Sequence, residues 1–414
     1  MDLRISRKGN IDYDVVLPGS KSLSNRALLI MALCGNTGIT GLAMCDDTDV
    51  MTRALGSDSD EINVGAAGTA MRFLTAYYAA SQPGRTVIID GSERMRCRPV
   101  AVLVDALREL GAEIEYLGNE GYPPLRITGS RLRPKHLRLR GDVSSQYISA
   151  LMMIAPQIGG LQIELTGNVV SRPYIDMTAS LMNEMCADVI VSGDVITVGD
   201  APYHWHHYNV EADWSAASYW FGIKALVPQA NLRLHGLNPV SIQGDSRLLT
   251  TMPGLGVKGD FLGDVLYLHN CPLCSCSSYI DVTATPDLAQ TLAVTMCLLE
   301  RPFRITGLST LRIKETDRIE ALRAELLKLG YVIDVEGNEA IGWHGRKTSP
   351  PAAPVIDTYN DHRMAMAFAI AAIRHPGIII RDAQVVGKSY PLFWQHMAQA
   401  GFSIETINGN TSRE

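Results

Sequence analysis

Six times along this chain a polar or glycine-rich start leads into ten or more mostly apolar, helix-forming residues, near Ser20, Gly68, Ser144, Asp213, Pro286 and Asp361. A helix that is apolar all round offers no face to water, so other elements must enclose it. Between these segments lies a second set, amphipathic stretches that end in a small residue and pass into an extended run. Examples are "LVDALRELGAEIEYL", "LLTTMPGLGVKG", "LRAELLKLGYVIDV" and "FWQHMAQAGFSIETI". Glycine at the junction takes the left-handed conformation cheaply, and the β-branched residues that follow favour a strand. "LMNEMCADVIV" keeps the plan with Cys186 in the glycine's place, whereas "MTRALGSDSDEINV" fits it poorly. The alternation predicts an α/β chain of six repeats of roughly 70 residues, the first one short, with three repeats in each half.

Composition narrows the partners. With 414 residues and 46% hydrophobic content the chain can bury a large core and is expected to form two domains. A net charge of -6 gives no overall field for nucleic acid or an anionic membrane, so any bound anion must meet a local cluster. No basic start precedes an apolar run, and the apolar runs are interrupted before about 18 residues; a soluble cytoplasmic monomer is expected. The eight cysteines are scattered, which fits reduced thiols. Cys271, Cys274 and Cys276 have a hint of metal spacing without a second pair. His204, His206 and His207 alternate as in a strand and lack helical spacing, so a structural role is the stronger reading for both groups.

If the buried helices of a domain run side by side, their N-termini gather at one end. Each brings unpaired N–H groups and the positive end of a dipole, together a setting for anions. The polar starts suit that role. In "LPGSKSLSNRAL", Ser20 or Ser22 can cap, while Lys21 and Arg26 put cations where the dipole alone would favour an acid. It is not a Walker loop, since the upstream glycine is missing. In "GAAGTAMRF", Gly65 and Gly68 allow close backbone approach, Thr69 can cap, and Arg72 follows one turn in. "RMRCRP" supplies Arg94, Arg96 and Arg98. "GDVSSQYISALMMIAP" supplies Ser144, Ser145 and Gln146, neutral donors suited to phosphate oxygens or to a simple cap.

The second half carries acids as well. "TPDLAQTLAVTMCLL" places Asp287 at a buried helix start, where the dipole favours it and where it can serve as a base. "RIKETDRIEAL", read as a helix, sets Lys314 and Arg318 four apart on one face and pairs Glu315 with Arg318. "YNDHRMAMAFAIAAI" adds Asp361, His362 and Arg363, and "GKSYP" adds Lys388. The recurring supply is cations for two or more anionic groups, with Asp287 and Glu315 available for proton transfer.

In this order "LPGSKSLSNRAL", "GTAMRF", "VSSQY", "SRPYIDMT", "KETDR" and "NDHRMAMAF" closely resemble the 5-enolpyruvylshikimate-3-phosphate synthase family of enolpyruvyl transferases, from about Leu17 to Lys388. The resemblance implies two inside-out α/β barrel domains built from six βαβαββ repeats. They would comprise residues 18–211 in one domain and 1–17 with 212–414 in the other, with the active site in the cleft between them. It implies transfer of the enolpyruvyl group of phosphoenolpyruvate to the 5-hydroxyl of shikimate 3-phosphate, in aromatic amino acid biosynthesis, with no metal or organic cofactor. Carried over by position, Ser22 and Arg26 would hold the shikimate carboxylate side, and Ser144, Ser145, Ser171 and Lys314 its phosphate. Lys21, Arg98, Gln146, Arg318, Arg363 and Lys388 would grip phosphoenolpyruvate near Gly68. Asp287 would take the hydroxyl proton, and Glu315 with Lys21 or Lys314 would move protons at the methylene carbon and leaving group.

Three positions depart from the family pattern. Ala66 stands where many relatives have asparagine, Phe73 where proline is common, and Thr310 where asparagine is frequent. The stretch between Asp49 and Gly65 is also short, which implies a missing outer element in the first repeat. Two other readings stand beside this one. A transferase acting on UDP-N-acetylglucosamine would use a loop cysteine, and Cys97 lies in a comparable region. A non-enzymatic anion-binding module would use the same cations, but Asp287 and Glu315 inside the cationic set argue against it.

Overall fold

The structure is a computed structural model describing residues 1–35, 38–133, 135–204, 206–273 and 278–407. The chain divides into two compact units, Gly19–Val210, and Met1–Pro18 together with the chain from Glu211 onward. It is a mixed α/β protein, and its sheets follow one plan. In the first unit Glu61–Asn63 pairs in parallel with Thr86–Asp90, and Leu125–Thr128 and then Glu113–Tyr116 extend the sheet antiparallel. Helix Gly68–Ser81 connects the parallel strands, and helix Ala101–Glu109 leads into the hairpin. A parallel pair needs such a crossover, whereas the hairpin does not. His136–Arg140, Leu161–Thr166, Val195–Val198 and Val189–Ser192 repeat the order around helices Ser145–Ile154 and Arg172–Glu184.

The other unit uses the plan three times, around helices Trp214–Leu226, Ala289–Leu298 and His362–Ala369. In its last sheet, Phe402–Ile407 and Asp2–Arg7 form the antiparallel pair, with Asp2 opposite Ile407. One sheet of the first unit is reduced to a parallel pair, Ile39–Thr40 with Tyr208–Asn209. There, helix Asp46–Leu55 passes through residues 56–60 directly into Glu61–Asn63, with no hairpin between. None of the sheets closes on itself among the described residues.

The enclosed helices account for the apolar segments. Every residue of Trp214–Leu226, Ala289–Leu298 and His362–Ala369 is buried. Their starts coincide with the polar boundaries: Ser20, Ser144, Asp213 and Asp361 each accept a backbone N–H from the first turn. The junctions also hold, and Cys186 adopts φ 65°, the left-handed turn that Gly330 makes with φ 91°. Two local expectations need correction. Thr69 does not cap, because helix Gly68–Ser81 starts from Ala67 without a side-chain cap. His204, His206 and His207 lie outside any regular element, and the short strand begins only at Tyr208. Among the described residues no group of three or more histidine, cysteine or acidic side chains is arranged to hold a metal; Cys274 and Cys276 lie outside the described residues. No described helix is long and apolar enough to cross a membrane.

Close packing of the buried helices turns on Gly222. A Cβ there would lie 2.8 Å from Thr295 Oγ1 and 3.1 Å from Ile370 Cδ1. Burying Trp220 or Phe221 beside it contributes about 1.5–3 kcal/mol each, which outweighs the ~1 kcal/mol that glycine costs inside a helix. We therefore expect Gly222→Ala to destabilise the protein by about 1–3 kcal/mol despite alanine's better helix propensity. Chemical denaturation checks this, and a variant more stable than the parent would show that the helices have room to spare.

Candidate functional site

In the unit containing Trp214, charged groups converge on Asp287. Pro286 opens a 3-10 turn, Pro286–Leu288, at the head of the buried helix, and proline suits that place because its missing N–H has no helical partner there. Arg318 Nη1 donates to Asp287 Oδ1 and Arg363 Nη2 to Oδ2, both at 2.9 Å, and Lys314 Nζ lies 3.9 Å from Oδ1. Arg318 is 1% exposed, and it also donates through Nε to Asp361 at 2.7 Å and through Nη2 to Glu315 at 2.9 Å. Asp361 in turn accepts the Arg363 backbone N–H at 2.9 Å as the cap of the His362 helix. Lys388 Nζ donates to the Asn360 carbonyl at 2.6 Å.

"RIKETDRIEAL" is not helical throughout, as the sequence had implied. Ser309–Ile313 forms a 3-10 turn, Lys314 is extended, and the helix starts at Arg318. Asp317 sets that start by accepting the N–H groups of Ile319 and Glu320. The Glu315–Arg318 pair forms all the same, across the helix boundary.

The electrostatics follow from this crowding. Burial alone would raise the Asp287 carboxyl, but Arg363, Lys314 and Arg318 hold it well below the usual carboxylate range. Burial pushes the Lys314 amine down, and Asp287 opposes that shift. Asp245 is different. It is 5% exposed and accepts a hydrogen bond from the Ser215 hydroxyl. Burial and the nearby charge of Asp287 lift its carboxyl to about 7. Ser215 Oγ also lies 3.4 Å from Arg363 Nη2, so Asp245 connects to the centre through a single hydroxyl.

The Gly19–Val210 unit presents its own polar helix starts. Lys21 begins helix Lys21–Cys34 behind the Ser20 cap, with Nζ 3.2 Å from Asp47 Oδ2. Arg26, 2% exposed, is turned inward: Nε donates to Thr178 Oγ1 at 2.7 Å, Nη2 to Ser149 Oγ at 3.0 Å and Nη1 to the Ser22 carbonyl at 2.9 Å. Its guanidinium lies 5.4 Å from the Phe73 ring centroid. Without a carboxylate partner, burial pushes it down to about 10.

Gly68 and Arg98 belong together. A Cβ on Gly68 would overlap the Arg98 guanidinium, with Cζ at 2.8 Å, so only glycine lets that side chain lie against the helix start. Arg72 braces the same region from inside, donating to the Gly68 and Pro99 carbonyls. Arg96, its neighbour in "RMRCRP", pairs instead with Asp90. Gln146 Nε2 donates to Thr69 Oγ1 at 3.0 Å, and its N–H meets the Ser144 cap. Ser145 is buried behind that cap. Ser171 stands before helix Arg172–Glu184 with φ 55° and no side-chain capping bond.

The sequence reading passed over several of these partners. Asp47 sits at a helix start, where an acid suits the dipole. Thr178 and Tyr174 fall in or beside "SRPYIDMT". Asp245 in "SIQGDSR" gives no local signal, since only the fold brings it to Ser215.

The pattern that defines the family described as EPSP synthase (3-phosphoshikimate 1-carboxyvinyltransferase) matches residues 56–397. A 3-phosphoshikimate 1-carboxyvinyltransferase of Bacteroides fragilis (strain YCH46) is 51% identical over 404 residues, covering 97% of this chain and 98% of the relative. The enzyme of that name from Colwellia psychrerythraea is 36% identical over 428 residues, covering 96% and 99%. The solved EPSP synthase of Acinetobacter baumannii shares the fold with a TM-score of 0.75 at 21% identity, covering 98% of this chain and 100% of that one. The chain belongs to the EPSP synthase (3-phosphoshikimate 1-carboxyvinyltransferase) family.

Proposed function

We propose that this chain transfers the enolpyruvyl group of phosphoenolpyruvate to the 5-hydroxyl of shikimate 3-phosphate, releasing phosphate. Its family membership supports the reaction, and the observation that carries the chemistry is the Asp287 centre. Three cations there face Asp287, Glu315 and Asp361, a balanced set that an incoming polyanion can enter only by competing for the cations. In the free protein Asp287 is a weak base. As anionic substrate draws Arg363, Arg318 and Lys314 toward itself, the carboxylate loses its stabilising partners and its proton affinity rises. Basicity thus increases when the hydroxyl to be deprotonated is present.

In this reading Lys21, Arg98, Gln146, Arg318, Arg363 and Lys388 bind phosphoenolpyruvate. Ser22 and Arg26 serve the shikimate carboxylate, and Ser144, Ser145, Ser171 and Lys314 the phosphate. Asp287 takes the 5-hydroxyl proton as the oxygen bonds to the central carbon of the enol. Glu315, with Lys21 or Lys314, protonates the methylene carbon. Elimination then removes a proton from the new methyl group and breaks the bond to phosphate, so the tetrahedral intermediate leaves as enol ether. Positioning of two polyanions by fixed cations is the larger contribution, within the ~7–11 kcal/mol that such placement can supply.

We further read residues 18–211, and 1–17 with 212–414, as two inside-out barrel domains. Burial of the connecting helices within each unit supports this. The sugar-nucleotide alternative would lean on Cys97, which is exposed, but the serine-rich starts suit a small phosphorylated acceptor better.

Incubation with phosphoenolpyruvate and shikimate 3-phosphate should release phosphate, whereas UDP-N-acetylglucosamine should not support release. Asp287→Asn should lower kcat by about 10²–10⁴-fold, the usual range for a lost general base. Release with the sugar nucleotide alone would move the reading to the alternative, and an unimpaired variant would remove Asp287 from the role.

The Asp245 carboxyl gives a pH test. Its folded value is about 7, against about 3.9 unfolded, so the unfolded chain ionises first. The stability it contributes is full below about pH 4, falls as pH rises to about 7, and is then lost. Asp245→Asn keeps an acceptor for Ser215 and should remove this slope, gaining about 2.5 kcal/mol relative to the parent between pH 5 and pH 8. Equal slopes in denaturation series at the two pH values would show that Asp245 is ionised in the folded protein.

A further inference from the structure

Residues 357–361 carry two consecutive non-glycine residues in the left-handed region, Tyr359 at φ 52° and Asn360 at φ 56°. Such a pair persists only where its surroundings dictate it. Both ends of the segment, Asp357 and Asp361, are fixed to one helix, Arg318–Lys328. At its start Arg318 holds Asp361. Two turns later, on the same face, the Glu325 carboxylate is fully buried. It accepts the Tyr359 hydroxyl at 2.6 Å and the Asp357 backbone N–H at 3.0 Å. Lys328 Nζ closes this end by bridging Glu325 at 2.8 Å and Asp357 at 2.7 Å. Between the two anchors, the Asn360 carbonyl receives Lys388 Nζ.

We infer that Glu325 and Tyr359 are positioning residues, which lock residues 357–361 so that the Asn360 carbonyl aims Lys388 and Asp361 meets Arg318. Neither residue is among the groups assigned to substrate. Glu325 is too buried to reach one, and its hydrogen bonds all run to the segment and to Lys328. Tyr359 is 41% exposed, so its hydroxyl rather than its packing is what the segment uses. As the kinetic effect depends on Lys388 gripping phosphoenolpyruvate, that readout rests on the function proposed above.

Tyr359→Phe deletes one hydroxyl and should leave melting nearly unchanged. In the parent reaction it should raise KM for phosphoenolpyruvate about tenfold, the loss of roughly one good hydrogen bond, with kcat and KM for shikimate 3-phosphate within about twofold. Glu325→Leu should do the same or more. Glu325→Gln should restore the parent value, because its amide oxygen can accept from Asp357 and its NH₂ can donate to the tyrosine oxygen. Labelling of Lys388 by an amine-reactive reagent, followed by peptide mass mapping, reads the aim of the lysine without turnover. Its rate should rise severalfold in Tyr359→Phe and return in Glu325→Gln. If the parent turns over substrate while neither KM nor labelling changes in Tyr359→Phe, the positioning role is wrong. If the parent shows no turnover but labelling responds as stated, the positioning role stands and the proposed reaction fails.

Discussion

An almost wholly enclosed guanidinium is costly unless its charge or its N–H groups find partners, and Arg318 meets three carboxylates. Those carboxylates sit on three different pieces of chain: the Pro286 turn, the loop before the Arg318 helix, and the cap of the His362 helix. One side chain therefore registers the starts of two buried helices against a third, half-buried one. Removing one partner of such a set typically costs about 3–5 kcal/mol because the remaining charge is left buried and unpaired. That cost holds the three pieces of chain in register around Arg318.

The Gly19–Val210 unit has the same architecture and a different electrostatic answer. Its helices Lys21–Cys34, Gly68–Ser81 and Ser145–Ile154 start from Ser20, Ala67 and Ser144, where the other unit has Asp213, Asp361 and, in the turn before Ala289, Asp287. Its most buried guanidinium, Arg26, meets hydroxyls, carbonyls and an aromatic face rather than carboxylates. Neutral donors and uncancelled positive dipole ends suit the holding of an anion, whereas paired carboxylates and cations suit proton movement. The division of labour in the proposed reaction thus follows from which helix starts contain acids. Lys21 is the exception, since Asp47 answers it.

Much of this was legible because it is local. A cap, a glycine junction and an all-apolar run each act within a few residues, so the helix starts at Ser20, Ser144, Asp213 and Asp361 could be read directly. Cys186 was legible for the same reason, its place in the repeat being stronger evidence than its residue type. The failures are tertiary. Thr69 looks like a cap in sequence, but the fold offers it the Gln146 amide instead. Lys314 looks helical until Asp317 captures the first N–H groups three residues later. Asp245 and Glu325 are ordinary acids in sequence, and they matter because folding brings a serine hydroxyl to one and a tyrosine hydroxyl to the other.

Phe73, which the resemblance sets where proline is common, is consistent with its place in the helix. It lies beyond the first turn of helix Gly68–Ser81, where a proline would remove an intrahelical hydrogen bond and crowd the preceding turn. Phenylalanine keeps the helix unbroken and turns a fully buried ring toward Arg26. A buried guanidinium without a carboxylate gains from such a face, by up to about 2 kcal/mol when desolvated, and the Tyr174 ring at 6.0 Å adds a second. The substitution and the neutral surroundings of Arg26 therefore support each other, since the aromatic faces supply part of what an anion would otherwise provide. They do so without a fixed negative charge that would compete with an anionic ligand.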